Sequence, residues 1–495
     1  MTTYNWAKSK TLELAETWAE NDYVRFMHDA TREEFLKSQL PFYHAVNAFP
    51  VMLLTLATKI KTSEERLLLI DNIWEEHGQG DTKGFHTNSF KTHLRSLGWN
   101  QCDEIQSNPF ISEWIENTLR ISNPRTLGSY LAGIEYIYAI ISQSIAEQLE
   151  SYELECEQAH YSKHAVLDWD HGYELLKTVE LTGEEIDKEA FERAQREFIH
   201  LFSKMVVPTL KELNQIGKMP VAFYYSREDS KPELFALKNV EKKAPAVLAI
   251  CSGGEHLINL LNSNPHSVIT AVDANPQQIA IAKNKVHSLG SKTTHETAEG
   301  KFEAMFALIR RYFKGTNGQL NEKEILTHIE KRDFVVRTVL SNSNLTAVFG
   351  EDATRYSTGD FAEHFVGAFN QSLEAGHPNI LNVLLNMPIQ DPCKAKGIRT
   401  ESINYVECVM NEFRFDKKYD VIDLSNIGDW MPIDDYRSLI NKAFLALNGG
   451  GQLILRKLMG DYDLYSLTSQ FNKTTPFKDG TCFYQQTVVA EKAAA

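Results

Sequence analysis

Near Gly217-Lys-Met-Pro220 the spacing of apolar residues changes its period. Upstream, they recur at helical intervals in 11–28, 31–60, 63–76, 86–97, 126–150 and 155–181. Thr182-Gly-Glu-Glu185 has capping-box spacing and predicts one more amphipathic helix, running to about 214. Gly78, Gly80, Asn108-Pro109 and Asn123-Pro124 punctuate the joints. Downstream, short apolar runs appear at Ala246–Cys251, Ser267–Val272, Leu345–Phe349, Tyr419–Leu424 and Gly451–Leu455, with helical stretches between them. Strands alternating with helices predict a mostly parallel α/β sheet. The charged helical segment 296–344 is too long for a plain loop and reads as an insertion over that sheet. Two domains are expected, an all-α one over 1–216 and an α/β one over 217–495.

Charge narrows the partners. Basic residues number 51 against 66 acidic ones, a net of −15, which repels phosphate backbones and acidic lipid. Nucleic acid and stable membrane insertion are therefore not expected. The stretch Ala48–Ala57 is too short to span a bilayer, and the first residues lack a signal-peptide core. Six scattered cysteines with no CxxC suit a reducing compartment, so a cytoplasmic location is expected. Homodimerisation stays open.

The sharpest local signal is His164-Ala-Val-Leu-Asp168-Trp-Asp-His171. Offsets of 0, +4 and +7 put the three side chains within roughly 60° of arc on a helix. Two imidazoles and a carboxylate on one stripe are ligands for a first-row transition metal; a solvated polar face has the same pattern. Glu135 sits in Leu131-Ala-Gly-Ile-Glu-Tyr-Ile-Tyr-Ala-Ile-Ile141, an otherwise nearly apolar helix. A carboxylate there needs a cation, a hydrogen-bonding partner or a proton. A structural ion pair is one answer and a metal is the better one, because other helices carry further candidates. Glu75-Glu76-His77-Gly78-Gln79-Gly80-Asp81 leads to His86. On one straight helix Glu76 and His86 would stand ~15 Å apart. Gly78 and Gly80 are placed to break that helix and fold the two groups together. The aromatics Tyr130, Tyr136, Tyr138 and Trp169 are pocket lining or plain core.

These residues resemble the heme-oxygenase-like diiron oxygenases and oxidases over about 20–210. The resemblance implies a seven-helix fold that binds no heme and holds two Fe(II) per chain, with O2 as co-substrate. Carried over position by position, the ligands are Glu76, His86, Glu135, His164, Asp168 and His171. Some members add a Glu from an earlier helix; near Phe42–Pro50 this chain offers only His44.

A second constellation follows. Val247-Leu-Ala-Ile-Cys-Ser-Gly-Gly254 is an apolar strand, a small-residue turn and a helix start, without the GxGxxG of a dinucleotide site. The next strand ends in Val272-Asp273, placed either to bind ribose hydroxyls or to cap a helix. Later come Phe349-Gly-Glu-Asp352, Asp420-Val-Ile-Asp-Leu-Ser425-Asn426-Ile-Gly-Asp-Trp430 and Asn448-Gly-Gly-Gly451. With Ala271-Val-Asp-Ala-Asn-Pro-Gln-Gln278 and Tyr224-Tyr-Ser-Arg-Glu-Asp229, this segment, about 218–490, resembles the transferases that make the homoserine head group of betaine lipids. It implies a Rossmann-like, class I methyltransferase-type domain that moves the 3-amino-3-carboxypropyl group of S-adenosylmethionine. By that match Ser252, Gly253, Gly254, Asp273, Asn275, Gln278, Asp352, Ser425 and Asn426 bind S-adenosylmethionine. Tyr225, Glu228 and Asp229 stand on the acceptor side. Arg337, Arg355 and Arg399 are either holders of a substrate carboxylate or surface groups.

The expectation is a bifunctional enzyme. One half transfers or cyclises the aminocarboxypropyl unit using a small-molecule acceptor, and the other oxidises the amino-acid-type product. The alternatives are a betaine-lipid-type transferase whose helical half is an oxidase of an unrelated substrate, or one whose helical half is a non-catalytic binding module.

Overall fold

The computed structural model describes residues 2–100, 104–151, 159–288, 299–351, 355, 359–376, 379–387, 400–481 and 483–494. It divides into two compact units. One comprises 1–211 together with Tyr312–Phe334, and the other comprises 212–311 and 335–495.

The first unit is helical. Its helices are α1 (Thr3–Ala19), α2 (Asp22–Asp29), α3 (Arg32–Gln39), α4 (Phe42–Lys59), α5 (Ser63–Glu76), α6 (His86–Ser96), α7 (Pro109–Leu119), α8 (Pro124–Ser151), α9 (Ala159–Leu181) and α10 (Lys188–Ser203). Two of the long periodic stretches are split. Asn21 caps α2 by accepting from the Tyr23 N–H, and Pro41 stands between α3 and α4. Capping boxes at Thr31/Glu34 and Thr62/Glu65 start α3 and α5. The expected box at Thr182 does not form. Thr182 Oγ1 donates back to the Val179 carbonyl at the end of α9, and Asp187 caps α10 instead. Arg32–Lys59 is long and apolar enough, by length and composition, to cross a membrane. It covers α3 and α4, and α4 turns Phe42, Ala45, Met52, Leu53 and Leu56 inward.

Helix α8 is the axis of this unit, packing on both α9 and α10. Its residues Leu131, Ala132, Ile134, Tyr136, Ile137 and Ala139 are all buried, as expected for a helix with neighbours on every side. Small residues set the approach. A Cβ at Gly133 would lie 2.4 Å from the Phe191 carbonyl oxygen, and one at Gly172 would lie 2.4 Å from the Tyr136 ring.

The second unit is built on a seven-stranded sheet. Its strands are β1 (Ala246–Ile250), β2 (Val268–Asp273), β3 (Ile403–Glu407), β4 (Tyr419–Asp423), β5 (Leu447–Lys457), β6 (Lys473–Phe477) and β7 (Gln486–Glu491). Their order is β3-β2-β1-β4-β5-β7-β6. Pairing is parallel from β3 to β5, and β7 runs antiparallel to both β5 and β6. Alternate residues feed opposite layers. Leu248, Ile422 and Leu453 pack under the helix Ile433–Ala446. Val247, Ala249, Val421 and Ile454 pack under the helices Lys231–Val240, Glu255–Ser263 and Pro276–His287. The central strand β4 is buried throughout, as a parallel strand covered on both faces must be.

One expected strand is a helix: Leu345–Phe349 lies within Asn342–Phe349, capped by Ser341. A five-residue apolar run fits either state, and the cap decides. In the segment expected to be an insertion, helices span Lys301–Tyr312, Glu322–Thr327 and Ile329–Val339, and Tyr312–Phe334 belongs to the helical unit. Lys204 holds it there, donating to the Tyr312 and Lys314 carbonyls at 2.6 and 2.7 Å.

Gly133→Leu is expected to lower the stability of the helical unit by about 2–4 kcal/mol, because the Phe191 carbonyl cannot give way. Gly367→Ala, where no atom lies within 4 Å of the added Cβ, should be neutral or stabilising by up to about 1 kcal/mol. Chemical denaturation of both variants reads the contrast; equal effects would contradict the packing described.

Candidate metal centre and ligand crevice

Four helices bring their polar residues to one point. Helix α5 ends at Glu76, and the chain turns through Gly78 (φ 59°) and Gly80 (φ 88°) before α6 starts at His86. A Cβ at Gly78 would lie 2.4 Å from the Gly84 backbone, so only glycine permits this corner. The corner brings His86 Nδ1 to 2.7 Å from Glu76 Oε1. Helix α8 supplies Glu135, and α9 supplies His164, Asp168 and His171 from one stripe. Ligand atoms of Glu135, Asp168 and His171 lie within 4.8 Å of one another. His164 Nδ1 stands 2.8 Å from Asp168 Oδ1, and the His86 and His164 rings are 4.9 Å apart. A small cavity of ≈ 40 Å³ is lined by Glu76, His86, Glu135 and His164 on one side. Phe42, Ala45, Val46 and Phe49 of α4 line it as well.

A cation would relieve the electrostatics of this pocket. Burial, with the charges of Asp168 and Glu76 beside it, pushes the Glu135 carboxyl well above the usual carboxylate range. Burial also raises Asp168, against the pull of His171. Glu76 is buried too, but His86, His164 and His171 outweigh that and hold it below its ordinary value. Burial and the neighbouring His86 push His164 down to about 3. Glu135 Oε1 and His171 Nδ1 are buried with no hydrogen-bond partner. Orphaned acceptors of this kind are costly unless something fills the space between them. Three carboxylates and three imidazoles, with buried polar atoms left unsatisfied among them, fit divalent metal of the iron type.

Two residues outside the expected set hold it in place. Glu75 Oε2 lies 2.8 Å from His171 Nε2, which leaves Nδ1 facing Asp168 at 3.9 Å. Such an outer carboxylate fixes the ring and its tautomer. His160, one turn before His164 on the same stripe, has Nδ1 3.0 Å from Ser89 Oγ and Nε2 3.1 Å from the Tyr138 hydroxyl. Both its nitrogens are engaged. His44 turns away to the Ile105 carbonyl at 3.1 Å, so the α4 wall is apolar among the described residues. Of the aromatics, Tyr138 lines the pocket, Tyr130 lines a neighbouring cavity, and Tyr136 packs edge-on against Trp169.

In the sheet unit a cavity of ≈ 270 Å³ opens beyond the carboxyl ends of β1 and β4, where the strand order reverses. Ser252 (φ 44°) and Ser425 (φ 50°) follow those strands in the left-handed conformation and both line it. Asp273, Asn275, Gln278 and Asn426 line it too. A Cβ at Gly253 would lie 2.2 Å from Ser226 N, and Gly254 (φ 91°) starts the next helix. Gln278 Nε2 donates to the Phe223 and Ser252 carbonyls, tying the turn to the segment before it. Asn275 caps its own helix through Gln277 N. Glu228 lines the cavity and accepts from Ser425 Oγ. Behind it, Arg456 contacts Glu233 at 2.6 Å, Asp423 at 3.3 Å and Glu228 at 3.7 Å. Tyr225 and Asp229 are not among the lining residues. Tyr225 sits 4.6 Å from Lys285 Nζ, and Asp229 accepts from Lys231 N and Gly480 N. Arg337 pairs with Glu363 at the surface. Asp352 and Arg399 lie outside the described residues.

Glu135→Leu should stabilise the metal-free chain by about 1–3 kcal/mol, because it removes a buried carboxyl without a full set of partners. The same change should abolish iron binding. Denaturation midpoints and iron quantitation on one preparation test both; a destabilised variant that keeps its iron would contradict the site.

No curated protein matches the chain. Residues 38–201, the span that carries Glu76, His86, Glu135, His164, Asp168 and His171, match the model of a heme-oxygenase-like family described as an iron-containing redox enzyme.

Proposed function

We propose that the chain is a bifunctional biosynthetic enzyme. In this reading the sheet unit transfers or cyclises the 3-amino-3-carboxypropyl group of S-adenosylmethionine and releases 5′-methylthioadenosine. The helical unit oxidises the resulting amino-acid-type product with O2. The observation that carries the oxidative half is the meeting of Glu135, Asp168 and His171 within 4.8 Å in a buried pocket.

Glu76, His86, Glu135, His164, Asp168 and His171 would hold two irons, whose three carboxylate ligands leave a net charge near +1. Iron bound there supplies the reduction of O2. The protein's part is to keep the site dry and rigid. Phe42, Ala45, Val46 and Phe49 exclude water. Glu75 orients His171, and Ser89 with Tyr138 orients His160 behind His164.

For the transferase half, the strand order and the crevice at its reversal support the methyltransferase-like reading. A nucleophile attacks the γ-carbon of the methionine chain. The carbon–sulfur bond breaks with its pair going to sulfur, and 5′-methylthioadenosine departs. The sulfonium carries its own leaving group, so orientation is the main demand on the protein. In this reading Asp273 would bind the ribose hydroxyls, and Ser425 with Asn426 would close the methionine end; all three line the crevice. Of the acceptor-side candidates, Glu228 lines the crevice, which supports giving it the nucleophile's proton. Asp229 and Tyr225 act as supports for that segment.

Incubation with S-adenosylmethionine should yield 5′-methylthioadenosine, and adding Fe(II) and O2 should convert the first product into an oxidised one. Omitting iron should trap the intermediate. Asp273→Ala should lower kcat/KM of the transfer by about 100-fold through misplacement. Mass spectrometry reads each of these; S-adenosylhomocysteine as the sole nucleoside product would refute the transferase half.

A further inference from the structure

Beside the metal pocket lies a second cavity of ≈ 450 Å³, open to solvent, bounded by α7, α8, α10 and the segment Tyr312–Phe334. Trp114 lines both spaces. Its indole Nε1 donates to the Tyr130 hydroxyl at 3.1 Å, and that hydroxyl donates to Glu197 Oε2 at 2.7 Å. Trp114 and Tyr130 are buried, at 8% and 2% exposure, whereas the Glu197 side chain is 43% exposed. On the metal side, ring centroids step from Trp114 to Phe198 (5.3 Å), to Tyr138 (5.8 Å) and to His164 (5.0 Å).

We propose that Trp114, Tyr130 and Glu197 form a proton-coupled electron relay that joins the metal pocket to the solvent-open cavity, where a small one-electron reductant docks. The inference rests on the iron-dependent reading of the helical unit. Indole and phenol are the most readily oxidised side chains apart from thiols. A buried phenol gives up an electron easily only if its proton has somewhere to go. Tyr130 already points its proton at a carboxylate, and the Trp114 N–H fixes that orientation by occupying the hydroxyl's acceptor side. Burial and the Glu197 charge keep the phenol protonated at rest. The Arg193 guanidinium lies 5.5 Å from the Tyr130 ring and 3.8 Å from Glu197.

The step balances. One electron leaves Tyr130 for the metal pocket by way of Trp114, and the phenolic proton passes to Glu197. The reductant then gives one electron to the phenoxyl radical, and Glu197 returns the proton. Each passage leaves the donor oxidised by one electron, and O2 is the terminal oxidant. Because O2 takes four electrons and two Fe(II) supply two, a route for outside electrons is needed whenever the substrate does not supply the rest.

The full chain, loaded anaerobically with Fe(II) and mixed with O2 in the absence of reductant, tests this by freeze-quench electron paramagnetic resonance. A tyrosyl signal is expected, abolished in Tyr130→Phe, abolished in Trp114→Phe although Tyr130 remains, and quenched by ascorbate. Peptide mass spectrometry of the wild type, which needs no variant, should find oxidative modification at Trp114 or Tyr130 that ascorbate suppresses. Iron bound but no Tyr130-dependent radical and no modification at either residue would overturn the relay alone. A chain that binds no iron would overturn the relay together with the reading it rests on.

Discussion

Three carboxylates and three imidazoles are enclosed between α5, α6, α8 and α9, and that enclosure sets the terms for the helical unit. Without a cation Glu76 pairs with His86 at 2.7 Å, while Asp168 and His164 stand 2.8 Å apart with burial favouring the neutral form of each. Glu135 is left over, with one oxygen unpartnered and its carboxyl pushed toward the protonated form. Breaking or stranding a buried charge costs several kcal/mol. A sequence that keeps such a residue in the middle of a nearly apolar helical stretch sacrifices stability for what the residue can bind.

Precision around that point comes from small residues and outer partners. Gly133 and Gly172 let α8 approach α10 and α9 at backbone distance. The glycine corner after α5 converts a separation of ~15 Å along a helix into a contact. Glu75 and Ser89 then orient rings whose other nitrogens face inward or toward Tyr138. The sheet unit uses the same economy. Two serines in the left-handed conformation open the crevice at the strand reversal, and a buried Arg456 gathers Glu228, Glu233 and Asp423 behind it.

Much of the candidate site's geometry was legible because helical periodicity is geometric. His164, Asp168 and His171 share a stripe by spacing alone, Glu135 is conspicuous among apolar neighbours, and the two glycines announce a corner. His160 lies on that stripe one turn earlier, but nothing local separates a ligand from a supporting ring. Glu75 was hidden because its partner is 96 positions away. Edge strands were the hardest elements to see. β3 alternates polar and apolar residues at the sheet margin, and β6, Lys-Thr-Thr-Pro-Phe, carries the Lys and Pro that suit an unpaired edge but read as a turn. Asp229 and Tyr225 share a segment with Glu228 but do not line the crevice as it does, because residues close in sequence point in different directions once the chain leaves regular structure.

Two irons held by mixed nitrogen and oxygen ligands are the central proposal for the helical unit. Iron K-edge X-ray absorption on the anaerobically loaded full chain measures this directly. It should show an iron–iron vector and a first shell of nitrogen and oxygen with imidazole scattering, at about two irons per chain. A single iron, a sulfur shell or no iron–iron scattering would contradict it.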